Sequence, residues 1–137
     1  MDKENREELS VKVLKFTINV APVTKKNSQG IIYNPATKKK MIVPSKAYKQ
    51  FERDCFWFMP KCEPIDYPVN VQCTYYMKTH RRVDLSNLIN ATLDVLVKYG
   101  VLKDDNSEIV ASLDGCGVLY DQQRPRTEVL ITEIKEG

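Results

Sequence analysis

The segment from His80 to Asp105 carries the residue types that metal-dependent phosphodiester chemistry needs. Its sequence, HRRVDLSNLINATLDVLVKYGVLKDD, begins with a basic cluster, continues with an isolated aspartate and a helical pattern, and ends on paired aspartates. Carboxylate oxygens are ligands for hard cations such as Mg²⁺, while arginine and lysine suit a polyanion. A helix between the two acidic positions would fix their relative placement. The segment therefore predicts a metal-dependent nuclease site.

The region from Leu85 to Tyr99 predicts the clearest helix of the chain. Its apolar side chains recur at a spacing that places them on one face: Leu85, Leu88, Ile89, Leu93, Leu96 and Tyr99. Polar side chains form a stripe on the opposite side: Asn87, Asn90 and Asp94. Asp84 precedes the first helical residue, so it is either a helix cap alone or also a metal ligand. Gly100 suits the left-handed position after the helix.

The length of this helix constrains how the site can assemble. A helix from Leu85 to Tyr99 is about 22 Å long at 1.5 Å per residue, so Asp84 and Asp105 start at opposite ends. Either the loop from Gly100 to Asp105 folds back along the helix, or a two-fold dimer brings Asp105 of one chain toward Asp84 of the other.

The paired aspartates have two interpretations. Asp104-Asp105-Asn106 is ordinary turn chemistry between a helix and a strand. However, two adjacent carboxylates repel each other and are costly to hold together without a cation nearby. The second interpretation makes both of them candidate metal ligands.

The order of these parts resembles the RusA-type Holliday junction resolvases, whose signature is an Arg-rich Asp-x-Asp-Asn, a helix, and an Asp-Asp followed by a strand. The resemblance extends from Pro22 to Ile134. This chain has Asp84-Leu85-Ser86-Asn87 in place of Asp-x-Asp-Asn, and Asn90 where the family often has a lysine. The resemblance implies a variant resolvase of phage or prophage origin. It also implies an α/β (α+β) fold with a mixed sheet and two main helices, a homodimer, and a four-way DNA junction as substrate.

On this basis each candidate residue has an expected role. Mg²⁺, or Mn²⁺ as an alternative, would be held by Asp84 and Asp105, with Asp104 as a neighbouring ligand or orienter. Asn87 would orient a ligand or a water, and Ser86 would contribute a hydroxyl through a water. Asp94 is the carboxylate best placed to substitute for the one missing at position 86. No glycine-rich phosphate loop is present, and no small-molecule cofactor is expected.

Basic residues are concentrated in the first half of the chain. Between Glu8 and Glu52 there are nine lysines and no acidic residue, although the net charge of the whole chain is only +3. This asymmetry favours contact with DNA phosphates over a Lys-rich hairpin that is merely solvated. The candidate DNA-binding residues are Lys25, Lys26, Asn27, Lys38, Lys39, Lys40, Arg81 and Arg82.

Length and composition predict one domain. A chain of 137 residues with 42% hydrophobic content supports a single compact core, here residues 11–137 after a flexible acidic N-terminus at 1–10. No apolar run is long enough to cross a membrane and no signal peptide is visible, so a cytoplasmic protein is expected. The four cysteines lack zinc-site spacing and are expected to be buried, reduced thiols.

The remaining elements follow from periodicity and turn residues. Strands are predicted over 11–20, with an apolar face that includes Val11, Val13 and Ile18 or their neighbours, and over 69–77. A hairpin is predicted around 34–37, and Ser45 should cap a helix that extends to Phe58. Strand-like sequence resumes at Glu108, a loop is expected at 124–126, and a last strand at 127–134.

Two other function classes remain open, because Ser86 and Asn90 depart from the family pattern. One is a junction-binding protein without catalysis, which would bind four-way junctions and not cut them. The other is an RNA-directed or structural interaction protein that uses the same basic hairpin, which would prefer single strands or A-form duplexes to four-way junctions.

Overall fold

The structure, a computed structural model, describes residues 12–25 and 29–135. The predicted N-terminal segment 1–10 lies outside these residues. The strands are β1 (Val13–Ile18), β2 (Gln29–Asn34), β3 (Lys39–Pro44), β4 (Val69–Met77), β5 (Val110–Ser112), β6 (Gly117–Tyr120) and β7 (Arg126–Glu133). The helices are α1 (Lys46–Cys55), which continues into a short 3-10 helix (Phe56–Phe58), and α2 (Leu85–Lys98).

Five strands form one mixed sheet around β4. The order is β1-β7-β4-β5, and β6 also pairs with β4. β4 is antiparallel to β7 and parallel to both β5 and β6, whereas β1 is antiparallel to β7. β2 and β3 form the predicted hairpin as a separate two-stranded sheet. The expectation of a single α+β domain with a mixed sheet and two main helices is confirmed.

Alternation along the strands determines which residues enter the core. In β4 the side chains of Val69, Val71, Cys73 and Tyr75 are almost fully buried, as their shared parity predicts. In β1 the prediction was wrong for Val13, which was expected on the buried face of the strand. Val13 is 59% exposed, while Ile18 is buried and Leu14 and Phe16 pack against the core. Lys15, Thr17 and Asn19 share the parity of Val13 and mark the outer face in the sequence, so the prediction overlooked an available signal. Val11 lies outside the described residues.

α2 is the helix that the sequence predicted best. Its buried face contains Leu88, Ile89, Ala91, Thr92, Leu93, Val95 and Leu96. The helix ends in a Schellman motif, in which Val101 N–H donates to Leu96 C=O at 2.8 Å and Gly100 N–H donates to Val97 C=O at 3.1 Å. Gly100 has φ 77°, the left-handed conformation that only glycine adopts without cost. This motif reverses the chain direction directly after α2.

α1 packs beside the C-terminal half of α2. Ser45 caps α1 as predicted, since its hydroxyl accepts a hydrogen bond from Tyr48 N–H at 3.2 Å. The hydroxyl of Tyr99 donates to the backbone carbonyl of Glu52 at 2.8 Å, and the Lys98 ammonium pairs with the Glu52 carboxylate. These contacts fix the position of Glu52 relative to α2.

Two sequence predictions need correction. Arg126 is not in a loop but begins β7, where its guanidinium is buried against the Tyr76 ring and bonds Asp121 at 2.9 Å and Glu128 at 3.1 Å. All four cysteines are free, as expected, but Cys62 is exposed and Cys116 only half-buried. Within 12–25 and 29–135, no helix has the length and apolar character needed to span a bilayer.

We predict that replacing either partner of the buried hydrogen bond between β4 and α2 lowers the free energy of unfolding, but by different amounts for the two partners. Tyr75 Oη lies 2.7 Å from Thr92 Oγ1, and Thr92 also donates to Leu88 C=O at 2.9 Å. Tyr75→Phe leaves Thr92 bonded and should cost about 0.5–1.5 kcal/mol, whereas Thr92→Val strands a buried tyrosine hydroxyl and should cost about 1–3 kcal/mol. Urea unfolding of the two variants measures both free energies.

The double variant Tyr75→Phe/Thr92→Val is the control, because it removes both partners. It should be more stable than the sum of the two single losses implies. Equal losses for the two single variants, or strict additivity in the double variant, would contradict this account.

Candidate functional site

Two cavities lie along α2 and together contain five of the candidate residues: Lys25, Arg81, Arg82, Asp94 and Asp105. The first, here called the carboxylate cavity, has a volume of about 370 Å³ and is lined chiefly by Lys25, Tyr48, Glu52, Asp94, Lys98 and Asp105. The second, here called the arginine cavity, has a volume of about 240 Å³ and is lined chiefly by Val23, Met77, Thr79, Arg81, Arg82 and Val83. The consecutive residues Thr24 and Lys25 line one cavity each, so the cavities are neighbours.

The structure brings Asp94 and Asp105 together in the carboxylate cavity. The chain reversal after Gly100 returns the following loop along α2 far enough to bring Asp105 to Asp94, but not to Asp84. Burial raises the pKa of the Asp94 carboxyl above its usual range; Lys25 opposes this effect, while the charges of Asp105 and Glu52 add to it. The three carboxylates therefore repel one another across the cavity.

Two lysines offset part of this negative charge. Lys25 Nζ lies 3.8 Å from Asp94 Oδ2, with both side chains about half exposed, and Lys98 pairs with Glu52. The cavity thus holds three carboxylates and two ammonium groups, one negative charge in excess. The half-exposed pair between Lys25 and Asp94 is worth little, so Lys25 can be displaced from Asp94 at small cost.

A buried hydroxyl also borders the carboxylate cavity. Tyr48 is 2% exposed, and its Oη has no hydrogen-bond partner among the described residues. Burial, followed by the charges of Asp94 and Glu52, raises the pKa of Tyr48 to about 12, so the phenol is a hydrogen-bond donor at neutral pH. An unpaired buried hydroxyl is costly, and it marks a place where a ligand or water would gain a partner.

Asp84 occupies the N-cap position of α2, next to the arginine cavity. Its side chain is exposed and makes no capping hydrogen bond. Instead, one of its carboxylate oxygens accepts a hydrogen bond from Asn87 Nδ2 at 3.3 Å. Asn87 therefore orients the Asp84 carboxylate, and Ser86 beside it is exposed. The carboxylate of Asp84 is open to solvent and to a ligand.

Asp104 points away from its neighbour Asp105. Its two oxygens accept hydrogen bonds from Asp105 N–H at 2.7 Å and from Asn106 Nδ2 at 3.1 Å. It lines a different cavity, together with Asp66, Lys103 and Glu108. These contacts match the turn interpretation of the paired aspartates.

The acidic residues of one chain form two separate groups. Asp84 and Asp94 are ten positions apart on a straight helix, about 15 Å along its axis, whereas ligands of one Mg²⁺ lie about 2.1 Å from the ion. In the part of the chain that the structure describes, no three His, Cys, Asp or Glu side chains are close enough to hold a metal ion. Asp94 and Asp105 share a cavity; Asp84 does not reach it.

The described basic candidates lie in three places. Arg81 and Arg82 are exposed at the arginine cavity, and neither forms an ion pair within the described residues. Lys25 lies over Asp94, and Lys38 and Lys39 are exposed at the hairpin turn. Lys26 and Asn27 lie outside the described residues, as does the side chain of Lys40.

Sequence reasoning missed Tyr48 and Glu52 as site residues. Both were treated as part of a helix whose apolar stripe enters the core, and Tyr48 is indeed buried. Their i, i+4 spacing on α1 was the available signal, since it places a hydroxyl and a carboxylate on one face. Which cavity that face borders depends on how α1 packs against α2, and periodicity does not specify this packing.

Comparison with known proteins identifies the family. The chain matches the family described as Endodeoxyribonuclease RusA over residues 19–132. It is 37% identical over 46 residues to a crossover junction endodeoxyribonuclease RusA from Aquifex aeolicus (strain VF5), a match that covers 34% of this chain and 36% of that relative. The match to this relative is therefore partial, whereas the family match covers most of the chain. The chain belongs to the RusA endodeoxyribonuclease family.

Proposed function

We propose that this protein is a Mg²⁺-dependent, structure-selective endodeoxyribonuclease that cuts four-way DNA junctions by paired phosphodiester hydrolysis, with Mn²⁺ as an alternative ion. The observation that carries the proposal is the convergence of Asp94 and Asp105 on one open cavity beside the unpaired hydroxyl of Tyr48. Oxygen ligands and an excess negative charge suit a hard dication. The relative from Aquifex aeolicus is named for crossover junctions, which supports the substrate class.

The site we propose is shared between two chains. One chain supplies Asp94 and Asp105, and Asp84 of a partner chain supplies the carboxylate that Asp84 of the same chain is too far away to provide. Two such helices in antiparallel orientation about a two-fold axis bring these groups together. A two-fold homodimer also has two equivalent sites, as two symmetric cuts in a junction require.

Each side chain has a defined task in this mechanism. A divalent cation at these carboxylates would supply a more acidic water and stabilisation of charge on the phosphate. Asn87 holds the Asp84 carboxylate in orientation, and the exposed Ser86 hydroxyl lies beside it. The Tyr48 hydroxyl would donate a hydrogen bond to an oxygen ligand in the carboxylate cavity. Lys25 and Lys98 neutralise the carboxylates before the cation binds.

The basic residues would hold DNA through its phosphates. Arg81 and Arg82 have no intramolecular acidic partner among the described residues, so their charges are available to DNA. This contact would be extended by Lys25, Lys38 and Lys39. It would also include Lys26, Asn27 and Lys40, whose side chains lie outside the described part of the chain. Binding through phosphates weakens steeply with salt and selects junction shape more than sequence.

A junction-binding protein without catalysis is the second candidate. The ion pairs Lys25–Asp94 and Lys98–Glu52 favour it, because they already satisfy two of the three carboxylates in the carboxylate cavity. The serine at position 86, where the family has a carboxylate, also favours a binding protein without catalysis. Cleavage assays separate the two candidates.

The first prediction concerns cleavage itself. A labelled synthetic four-way junction should be nicked in Mg²⁺ and left intact in EDTA, while a linear duplex of matched sequence should not be cut. Asp84→Asn and Asp105→Asn should each abolish cleavage; asparagine is also a good helix cap, so the first variant should fold normally. Gel analysis of nicked strands measures the activity.

Asp114→Asn is the matched control, because Asp114 is an exposed aspartate in a turn outside both cavities. It should retain wild-type cleavage. Junction binding without any nick in Mg²⁺ or Mn²⁺ would reject the enzyme and leave the binding protein.

A second prediction tests the shared site by mixing variants. When Asp84→Asn and Asp105→Asn chains are refolded together, half of the dimers are mixed, and each mixed dimer has one intact site. About a quarter of the wild-type sites should therefore return. Because only one site per dimer is active, the product should be a singly nicked junction and not a resolved pair of duplexes.

If each site were built within a single chain, the mixture would stay as inactive as its components. Mixing Asp105→Asn with the double variant Asp84→Asn/Asp105→Asn is the negative control, since no combination of these chains contains an intact Asp105.

A third prediction uses the raised pKa of Asp94 and has a readout other than cleavage. A carboxyl with a raised pKa in the folded state destabilises the fold once it is charged, so the cost is present above that pKa and absent below the unfolded pKa. In EDTA, Asp94→Asn should raise Tm slightly at pH 7 and not at pH 3. The exposed ion pair with Lys25 that this variant loses is worth little.

At pH 7, Mg²⁺ should make the Tm of the wild type higher than that of Asp94→Asn. It should stabilise the wild type, in which all the proposed ligands are present, and have little effect on Asp94→Asn. NaCl at equal ionic strength controls for screening. Equal stabilisation of both proteins by Mg²⁺ would remove Asp94 from the proposed ligands.

A further inference from the structure

The arginine cavity has a composition that the cleavage mechanism does not use. Its inner surface is apolar and includes Val23, Met77 and Val83, with the almost fully buried Leu88 beneath them. Its rim is polar and cationic, formed by Thr79, Arg81 and Arg82, all of them exposed. An apolar interior with two free guanidinium groups at the mouth matches a ligand that has a flat apolar body and an attached anion.

The rim of this cavity is held in place by the fold. The imidazole of His80 stacks on the Tyr120 ring with 3.4 Å between ring centroids and 29° between planes. Thr79 Oγ1 accepts a hydrogen bond from Arg81 N–H at 3.4 Å, and Asp121 N–H donates to Met77 C=O at 3.0 Å. These contacts tie the loop after β4 to the end of β6, so the cavity exists before any ligand arrives.

The position of the cavity relates it to the proposed cut. Val83 forms part of its wall, and the next residue is Asp84, whose carboxylate is open to solvent. Thr24 lines the arginine cavity and the adjacent Lys25 lines the carboxylate cavity. A DNA strand that crosses the N-terminal end of α2 would therefore pass the arginine cavity next to the Asp84 carboxylate.

We propose that the arginine cavity binds one unpaired nucleobase of the branched DNA strand, next to the phosphate that is cut. This inference rests on the proposed function for the identity of the polymer. The apolar walls contact the faces of the base, while Arg81 and Arg82 bind the phosphates on either side of it. Bases at a branch point are the least costly to unstack, so a cavity of this kind would select branched over linear DNA and would give the cut a base preference.

Binding measurements without cleavage test this inference independently of the enzyme. A four-way junction is prepared in versions that each carry one abasic nucleotide, at successive positions around the branch point. Affinity is measured in EDTA by fluorescence anisotropy. One position on each of the two symmetric strands should weaken binding about tenfold when abasic, because the contacts of one base with its cavity are lost; other positions should change binding by no more than about twofold.

Variants then assign that position to the cavity. Val23→Phe fills the cavity without changing charge; it should weaken binding of the intact junction about tenfold and remove the extra loss at the sensitive abasic position. Val13→Phe is the matched control, since Val13 is 59% exposed on β1 outside this cavity, and it should behave like wild type. Thermal unfolding checks that both variants fold.

Each outcome decides the question. Equal losses at all abasic positions, or an unchanged abasic profile in folded Val23→Phe, would overturn the base-binding cavity. If the junction binds with the expected profile but is never nicked, the cavity stands and the nuclease proposal fails. If the protein binds linear duplex and junction equally and no position is sensitive, both the cavity and the junction preference are wrong.

Discussion

The reversal of the chain at the end of α2 is the constraint on which the candidate site depends. α2 is a rigid rod whose burial against the sheet fixes its axis, so residues at its two ends stay separated by its length. The left-handed Gly100 and the hydrogen bond from Val101 to Leu96 turn the next segment back along the rod. As a result Asp105 lies near Asp94, one turn before the last residue of the helix, and not beyond the helix end.

The cost of this arrangement appears in the protonation of Asp94. Burial disfavours ionisation of Asp94, and the charges of Asp105 and Glu52 add to this effect, so the pKa of Asp94 is raised despite the nearby ammonium of Lys25. The fold holds these groups by other contacts, chiefly the bond from Tyr99 to Glu52 and the core that α1 shares with α2. Such an arrangement is unfavourable in the free protein and would become favourable on binding of the proposed cation; perturbed carboxylates of this kind cluster at functional sites.

The sequence predicted the elements well because each has a strong local signal. β4 alternates over its whole length, α2 has a clear apolar face with Gly100 at its end, and Ser45 precedes α1 as a cap. The candidate site was only partly predictable. The helical stripe identified Asp94, and the motif identified Asp84 and Asp105, but Glu52 and Tyr48 enter the site through the packing of α1 on α2. No local pattern encodes that contact, just as none fixed the orientation of Asp104 away from Asp105.

The separation of Asp84 from the carboxylate cavity is informative about function. A helix of 14 residues gives no route by which one chain closes the distance of about 15 Å, because a bend of that size would break the buried face of α2. The Asp84 side chain nevertheless makes no capping hydrogen bond; it is exposed and is oriented by Asn87. This is unusual for an aspartate whose only task is to cap a helix. In the shared site proposed above, the two groups would be halves of one site, and a second chain in antiparallel orientation would bring them together. Under that proposal catalysis would require the assembly of two chains, so an isolated chain would not cut.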